Sequence, residues 1–224
     1  MGRDKCRMVA QSCSFFFKHI LPSPYVIPNA LYPRKEFRLP DILTTEQFSV
    51  LYNSITNVKH KAIIGLLYGT GLRLGELQML RMSEIDSKNF QIKVVCGKGN
   101  KDRFTLLPKG ILEELRNYYK VYRPKIYLFE GQIPGKPLNE RSIQHAIRQC
   151  MSQAGLEKYK FSAHSLRHSF ATHLLDSGTD IHTIKELLGH SKIETTMIYL
   201  HLQQKKRAAL VSPLDALMAT QCQL

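Results

Sequence analysis

Five prolines, Pro22, Pro24, Pro28, Pro33 and Pro40, are crowded between residues 22 and 40. Each fixes φ and removes an amide donor, so neither a helix nor the interior of a sheet can run through that stretch. The chain of 224 residues is thereby divided. A short N-terminal segment and an extended linker occupy residues 1–40. The rest is long enough to bury a core without disulfides or metal. Before the prolines, residues 8–21 predict a short helix carrying Phe15, Phe16, Phe17, Ile20 and Leu21.

Beyond residue 40 the signals are mostly helical. Thr44 or Thr45 is placed to cap a helix through about Ile55, with Glu46 in its first turn. A second helix is expected over 59–68, stopped by Gly69-Thr70-Gly71, and a third from Arg73 to Leu80. Residues 90–96 and 103–107 read as two strands around Gly97-Lys98-Gly99-Asn100, a β-hairpin with a Gly-rich turn. Helices follow over 111–122, with Leu112, Leu115 and Tyr119 on one face, and over 142–154, with Ile143, Ile147 and Met151 at i, i+4, i+8. Ser162 opens a helix reaching Asp176 with Leu166, Phe170 and Leu174 inward and Gly178 beyond its end. Asp180 caps the next, which Gly189 closes. Ser191 and Glu194 have the S-x-x-E spacing of a capping box opening a helix that carries Tyr199. The expected class is mainly α with a small antiparallel β-sheet.

Charge narrows the function. Lys and Arg number 32 against 18 Asp and Glu, a net charge of +14, and the excess concentrates in residues 1–40 and 73–125. With 43% hydrophobic residues this describes a folded basic protein whose expected partner is a polyanion, most often nucleic acid. The longest apolar run, 62–67, falls far short of the roughly 20 residues of a membrane span. The five cysteines are odd in number and form no C-x-x-C. Free thiols suit a reducing compartment, so the cytoplasm is the expected location.

Several polar residues stand where chemistry is plausible. His164 and Arg167 share a helix face at i, i+3, and His168 adds an i, i+4 pair with His164. Zinc would want a Glu between the histidines, and Arg167 would bring positive charge beside it, so no metal site is expected. An anion fits better: guanidinium offers a planar fork to two phosphate oxygens and imidazole another donor. His190 lies just after a helix end and before a new helix N-terminus. Arg73 follows a Gly turn with Glu76 at i+3, placed to hold it. Lys98 lies between two glycines at the hairpin tip. The glycines there match neither nucleotide-binding fingerprint.

Taken in order, Arg73 within TGLRxxE, Lys98 within GKGNKDR, His164 and Arg167 within HSLRHSFATHLL, His190 within LLGH and Tyr199 nine residues on resemble the signature of the tyrosine recombinases, the phage-integrase family. The Xer-like and integron-integrase-like branches are the most similar. The resemblance covers residues 41 to about 205, that family's catalytic domain. It implies that residues 1–40 hold the last helix of an N-terminal core-binding domain plus a linker, and that residues 206–224 are a C-terminal tail able to dock on a neighbouring protomer.

The resemblance also implies a chemistry. Tyr199 would attack a phosphodiester of double-stranded DNA, forming a 3′-phosphotyrosine and freeing a 5′-hydroxyl. Arg73 and Arg167 would clamp the nonbridging oxygens, with Glu76 in support. His164 would assist proton transfer, His190 would donate to the phosphate, and Lys98 would protonate the leaving oxygen. No cofactor, metal, membrane or small-molecule substrate is implied. A monomer is expected free and a homotetramer on DNA. Two alternatives remain open. Residues 180–201 read as two short helices joined at Gly189, like the helix-turn-helix of a non-enzymatic DNA reader. A degenerate recombinase could bind without recombining. A reader exposes its polar residues along one helix, whereas a recombinase converges them from separate elements.

Overall fold

The computed structural model describes residues 3–21, 40–95 and 102–202. The chain divides into two units, Met1–Arg38 and Leu39–Leu224. In the first, α1 spans Arg3–His19, opening well before residue 8, and leaves Met8, Phe15, Phe16 and Ile20 exposed. The stretch 22–39 and the tail from residue 203 lie outside the described residues.

The second unit is built around α3 (Val58–Thr70). Residues 62–67 are buried throughout, so this helix is apolar on every side, which suits a central element and not a surface one. It packs against α5 (Lys109–Tyr122), α6 (Glu140–Gln153) and α7 (Ala163–Asp176). Local chemistry sets the boundaries. Thr44 and Gln47 exchange bonds in a capping box at the start of α2 (Thr45–Ser54). The Asn57 side chain accepts from the amide of His60, and Gly71, at φ 63°, ends α3. A Cβ at Gly71 would collide with the Phe170 ring, so both backbone and space require glycine.

The sheet has three antiparallel strands in the order β1-β2-β3: Ile85–Asp86, Gln91–Val94 and Arg103–Leu106. The antiparallel pairing of the last two strands is as expected, and the Gly97–Asn100 turn lies outside the described residues. The first strand, only two residues long, has no periodicity to reveal it. The register pairs Ile92 with Thr105 and Val94 with Arg103. Alternation turns Thr105 and Arg103 to one face and Phe104 and Leu106 to the other, which is exposed.

Three expected details are corrected. In α5 Tyr118 is buried and Tyr119 is 48% exposed, because Tyr118 completes the i, i+3, i+6 row begun by Leu112 and Leu115. In α7 Leu175 is buried, and Leu174 is half-buried at the edge of its cluster. The Ser191–Glu194 capping box does not form. The helix there, α9 (Glu194–Met197), is one turn with Ile193 at its N-cap position, and it runs into a 3₁₀ segment, Ile198–Leu202. Phe170, Ala171 and Leu175 of α7, Ile184 and Leu188 of α8 (Ile181–Leu188) and Tyr199 form a second small core.

Candidate active site

The site is assembled at helix ends, where backbone carbonyls are left without helical partners. After Gly71 the chain turns into α4 (Leu74–Met79), with Arg73 as its N-cap residue. Glu76 closes the first turn: one of its oxygens accepts from the Arg73 amide at 2.8 Å, the other from Arg73 Nη1 at 2.7 Å. Both oxygens also accept from Arg103, at 2.8 and 2.7 Å, in a fork-to-fork pair. Burial pushes the Glu76 carboxyl up, but the hydrogen bonds and charges of Arg103 and Arg73 outweigh that and hold it at about 2. Arg103 also donates from Nε to the Leu187 carbonyl at 3.0 Å. Its side chain lies so close under Gly189 (φ 62°) that a Cβ there would approach it to 2.7 Å. One carboxylate thus fixes two guanidiniums, one from the sheet and one from α4.

Arg167, on the buried face of α7, is 5% exposed. Its guanidinium donates to the carbonyls of Gly71 and Leu188 and lies 3.2 Å from His190 Nε2. Those carbonyls lie at the C-terminal ends of α3 and α8, the negative ends of the helix dipoles, which favour a cation. Burial, with Arg73 adding, nevertheless lowers the Arg167 pKa to about 10. Arg73 reaches the same place, donating to the Gly189 carbonyl at 3.2 Å. Both arginines therefore converge on the Leu188–His190 turn. Three guanidiniums face one carboxylate, an excess positive charge suited to an anion.

His190 follows the left-handed turn at Gly189. Its Nδ1 lies 2.9 Å from the buried Thr196 hydroxyl. Arginine cannot accept, so Nε2 is the acceptor in its contact with Arg167, and Nδ1 carries the hydrogen donated to Thr196. Burial, then Arg167 and Arg73, lower its pKa to about 4, so the ring is neutral near pH 7.

Tyr199 lies in the 3₁₀ segment and is 1% exposed. Its hydroxyl meets His168 Nδ1 at 3.0 Å. Burial raises the phenol to about 12, against the opposing pull of Arg167 and Arg73. Burial, then His164 and Arg167, lower His168 to about 4. His164 itself is exposed on α7. Lys98 lies outside the described residues.

Of the residues expected from sequence, Arg73, Glu76, Arg167, His190 and Tyr199 come together, from α4, α7, the α8–α9 connection and the 3₁₀ segment. His164 stands one turn before His168. Polar groups arriving from separate elements are not arranged like those of a single recognition helix, and α9 is only one turn long. Sequence reasoning missed two contributors. Arg103 was visible only as the end of GKGNKDR; strand alternation could have turned it inward. His168 was weighed only as a partner for His164 on a metal, and among the described residues no cluster of three His, Cys, Asp or Glu is placed to hold one.

Comparison with known proteins gives a consistent picture. The model of the phage integrase family matches residues 41–206. A tyrosine recombinase of Thermosipho africanus is 33% identical over 210 residues, covering 91% of this chain and 73% of that protein. Tyrosine recombinase XerC of Natranaerobius thermophilus is 36% identical over 189 residues, covering 78% of this chain and 62% of that one. The chain thus spans about two thirds of such relatives' length. XerA recombinase superposes with a TM-score of 0.67 at 27% identity, covering 100% of this chain and 78% of its own. XerH site-specific recombinase, solved with its difH substrate after cleavage, gives 0.67 at 28% identity, covering 77% of this chain and 53% of its own. Matched by that family's model from residue 41 to 206, around the same polar cluster, the chain belongs to the phage integrase family.

Proposed function

We propose that this chain cleaves and rejoins double-stranded DNA in site-specific recombination, through a covalent 3′-phosphotyrosine at Tyr199. One observation carries the reading: Arg73 and Arg167 approach the same helix-end turn, each held from behind, and Tyr199 is packed against the same helix, α7. In-line displacement at a phosphodiester builds negative charge on the nonbridging oxygens, and guanidiniums already gathered at that place lower the barrier. The covalent link conserves the phosphoester energy, so rejoining needs only the 5′-hydroxyl of a second strand. Lys98 serves as the acid for the leaving 5′-oxygen and His190 donates to the phosphate. In the free protein Nε2 of His190 is an acceptor, so that donation requires Arg167 to turn to the phosphate and a proton to reach Nε2.

Residues 41–205 form the catalytic domain, residues 1–40 the end of a DNA-clamping domain and its linker, and residues 206–224 a tail that docks between protomers. The protein acts as a tetramer on DNA, in the cytoplasm. Among the described residues no helix is long and apolar enough to cross a membrane. The test is strand transfer: protein, labelled duplex and a 5′-hydroxyl acceptor strand, with EDTA and without ATP. Joined product of the acceptor's added length is expected. No joined product, and no covalent adduct, on any duplex substrate tested would contradict the reading.

A further inference from the structure

We infer that His168, and not His164, takes the proton from Tyr199 when the tyrosine attacks phosphorus. This rests on the function proposed above and deepens it by naming the base.

The contact is direct. Tyr199 Oη and His168 Nδ1 are 3.0 Å apart, within reach for proton transfer, and the ring centroids are 5.7 Å apart. The direction of the hydrogen follows from burial. Tyr199 is 1% exposed, so its hydroxyl hydrogen needs an acceptor inside the protein. If Nδ1 carried its own hydrogen, the two hydrogens would face each other or the phenolic one would be left unbonded. With Nδ1 unprotonated the phenol donates to it, and the imidazole hydrogen sits on Nε2. Among the described residues no buried side-chain nitrogen or oxygen lacks a partner, which this tautomer preserves.

Helix geometry explains why His164 is less suited. His164 and His168 are one turn apart on α7, but His168 is half-buried beside Tyr199 while His164 is exposed. The groups facing His168 are Tyr199 from the 3₁₀ segment, His164 and Arg167 from its own helix, and His190 from the α8–α9 connection. Burial, with His164 and Arg167 adding, keeps its ring neutral in the free protein. A phenol near 12 does not give its proton to an imidazole near 4 at rest, so free Tyr199 stays neutral. A bound phosphodiester changes both partners. Its negative charge compensates Arg73 and Arg167 and favours the imidazolium. As Oη bonds to phosphorus its basicity collapses, and the proton passes to Nδ1. The phosphorus–5′-oxygen bond breaks, and the leaving oxygen takes a proton from Lys98, the acid proposed above. In rejoining, imidazolium returns the proton to Tyr199 as it leaves.

Two measurements test this. Long-range ¹⁵N–¹H correlation on histidine-labelled protein reads the tautomer without DNA. An unprotonated Nδ1 at His168, its shift moving in Tyr199→Phe, is expected; a protonated Nδ1 overturns the inference. Second, His168→Asn keeps an acceptor near the same place but takes no proton. On a nicked duplex, single-turnover adduct formation should fall by about 10²–10⁴, the usual worth of a general base, with DNA affinity unchanged. A His168→Asn protein forming adduct at the wild-type rate overturns it. Imidazole added to His168→Ala should restore part of the rate, which a purely structural role would not allow. A wild-type protein that forms no adduct at all sinks the functional reading, and this inference with it, which is a different result from a fast His168→Asn.

Discussion

Glu76 is the residue on which the cation cluster depends. Its side chain is 9% exposed and takes four hydrogen bonds, from the Arg73 amide, Arg73 Nη1 and both arms of Arg103. Removing one partner of a buried ion pair leaves charge uncompensated, whereas an intact pair adds little net stability. Glu76→Gln keeps the shape and removes the charge, leaving Arg73, Arg103 and Arg167 to repel one another. We expect a loss of about 3–5 kcal/mol in urea unfolding. Adduct formation should fall further than DNA binding, because Arg73 loses its aim while the basic surface remains. An equal loss of binding and chemistry would mean that Glu76 supports the fold only.

At the scale of elements, the turns between helices place the site. Gly71 and Gly155 share the left-handed backbone, at φ 63° and 69°. At Gly155 nothing lies within 4 Å of an added Cβ, so Gly155→Ala bears only the backbone cost of about 1–2 kcal/mol. At Gly71 the Cβ would strike Phe170 and press on Leu188, and the Gly71 carbonyl is one of the two that hold Arg167. Gly71→Ala should therefore cost more stability than Gly155→Ala by chemical denaturation and also abolish adduct formation. Equal costs would contradict the packing described around Gly71.

These elements also show what a sequence discloses. The caps at Thr44, Ser162 and Asp180 and the stop at Gly189 are legible because the chemistry that ends a helix lies within four residues. The spacing of S-x-x-E was legible too, yet no capping box forms there. Burying Tyr199 in the second core and Thr196 against His190 sets that turn instead, so tertiary packing overrides the local signal. The site residues announced themselves by type and motif. What they touch did not: the Arg103–Glu76 fork and the Tyr199–His168 bond join residues 27 and 31 positions apart. Such pairings depend on strand parity and helix phase together.

For the whole molecule, charge dominates. A net charge of +14 makes DNA affinity depend on displaced counterions. We expect log K to fall with log salt by about 0.9 for each phosphate neutralised. Neutralising a basic residue away from the arginine cluster should lower that slope by about one such step without changing the adduct rate on bound DNA. Light scattering should show a monomer without DNA; a stable DNA-free tetramer would contradict assembly on the substrate.

The most direct measurement is of the covalent bond itself. Wild-type protein incubated with nicked duplex, denatured and digested, should yield a peptide containing Tyr199 linked to a 3′-phosphate, with a free 5′-hydroxyl on the released strand. Tyr199→Phe, which removes one oxygen, should bind the duplex and leave no adduct. An adduct that persists in Tyr199→Phe, or that maps to any other residue, would contradict the assignment of Tyr199 as the nucleophile.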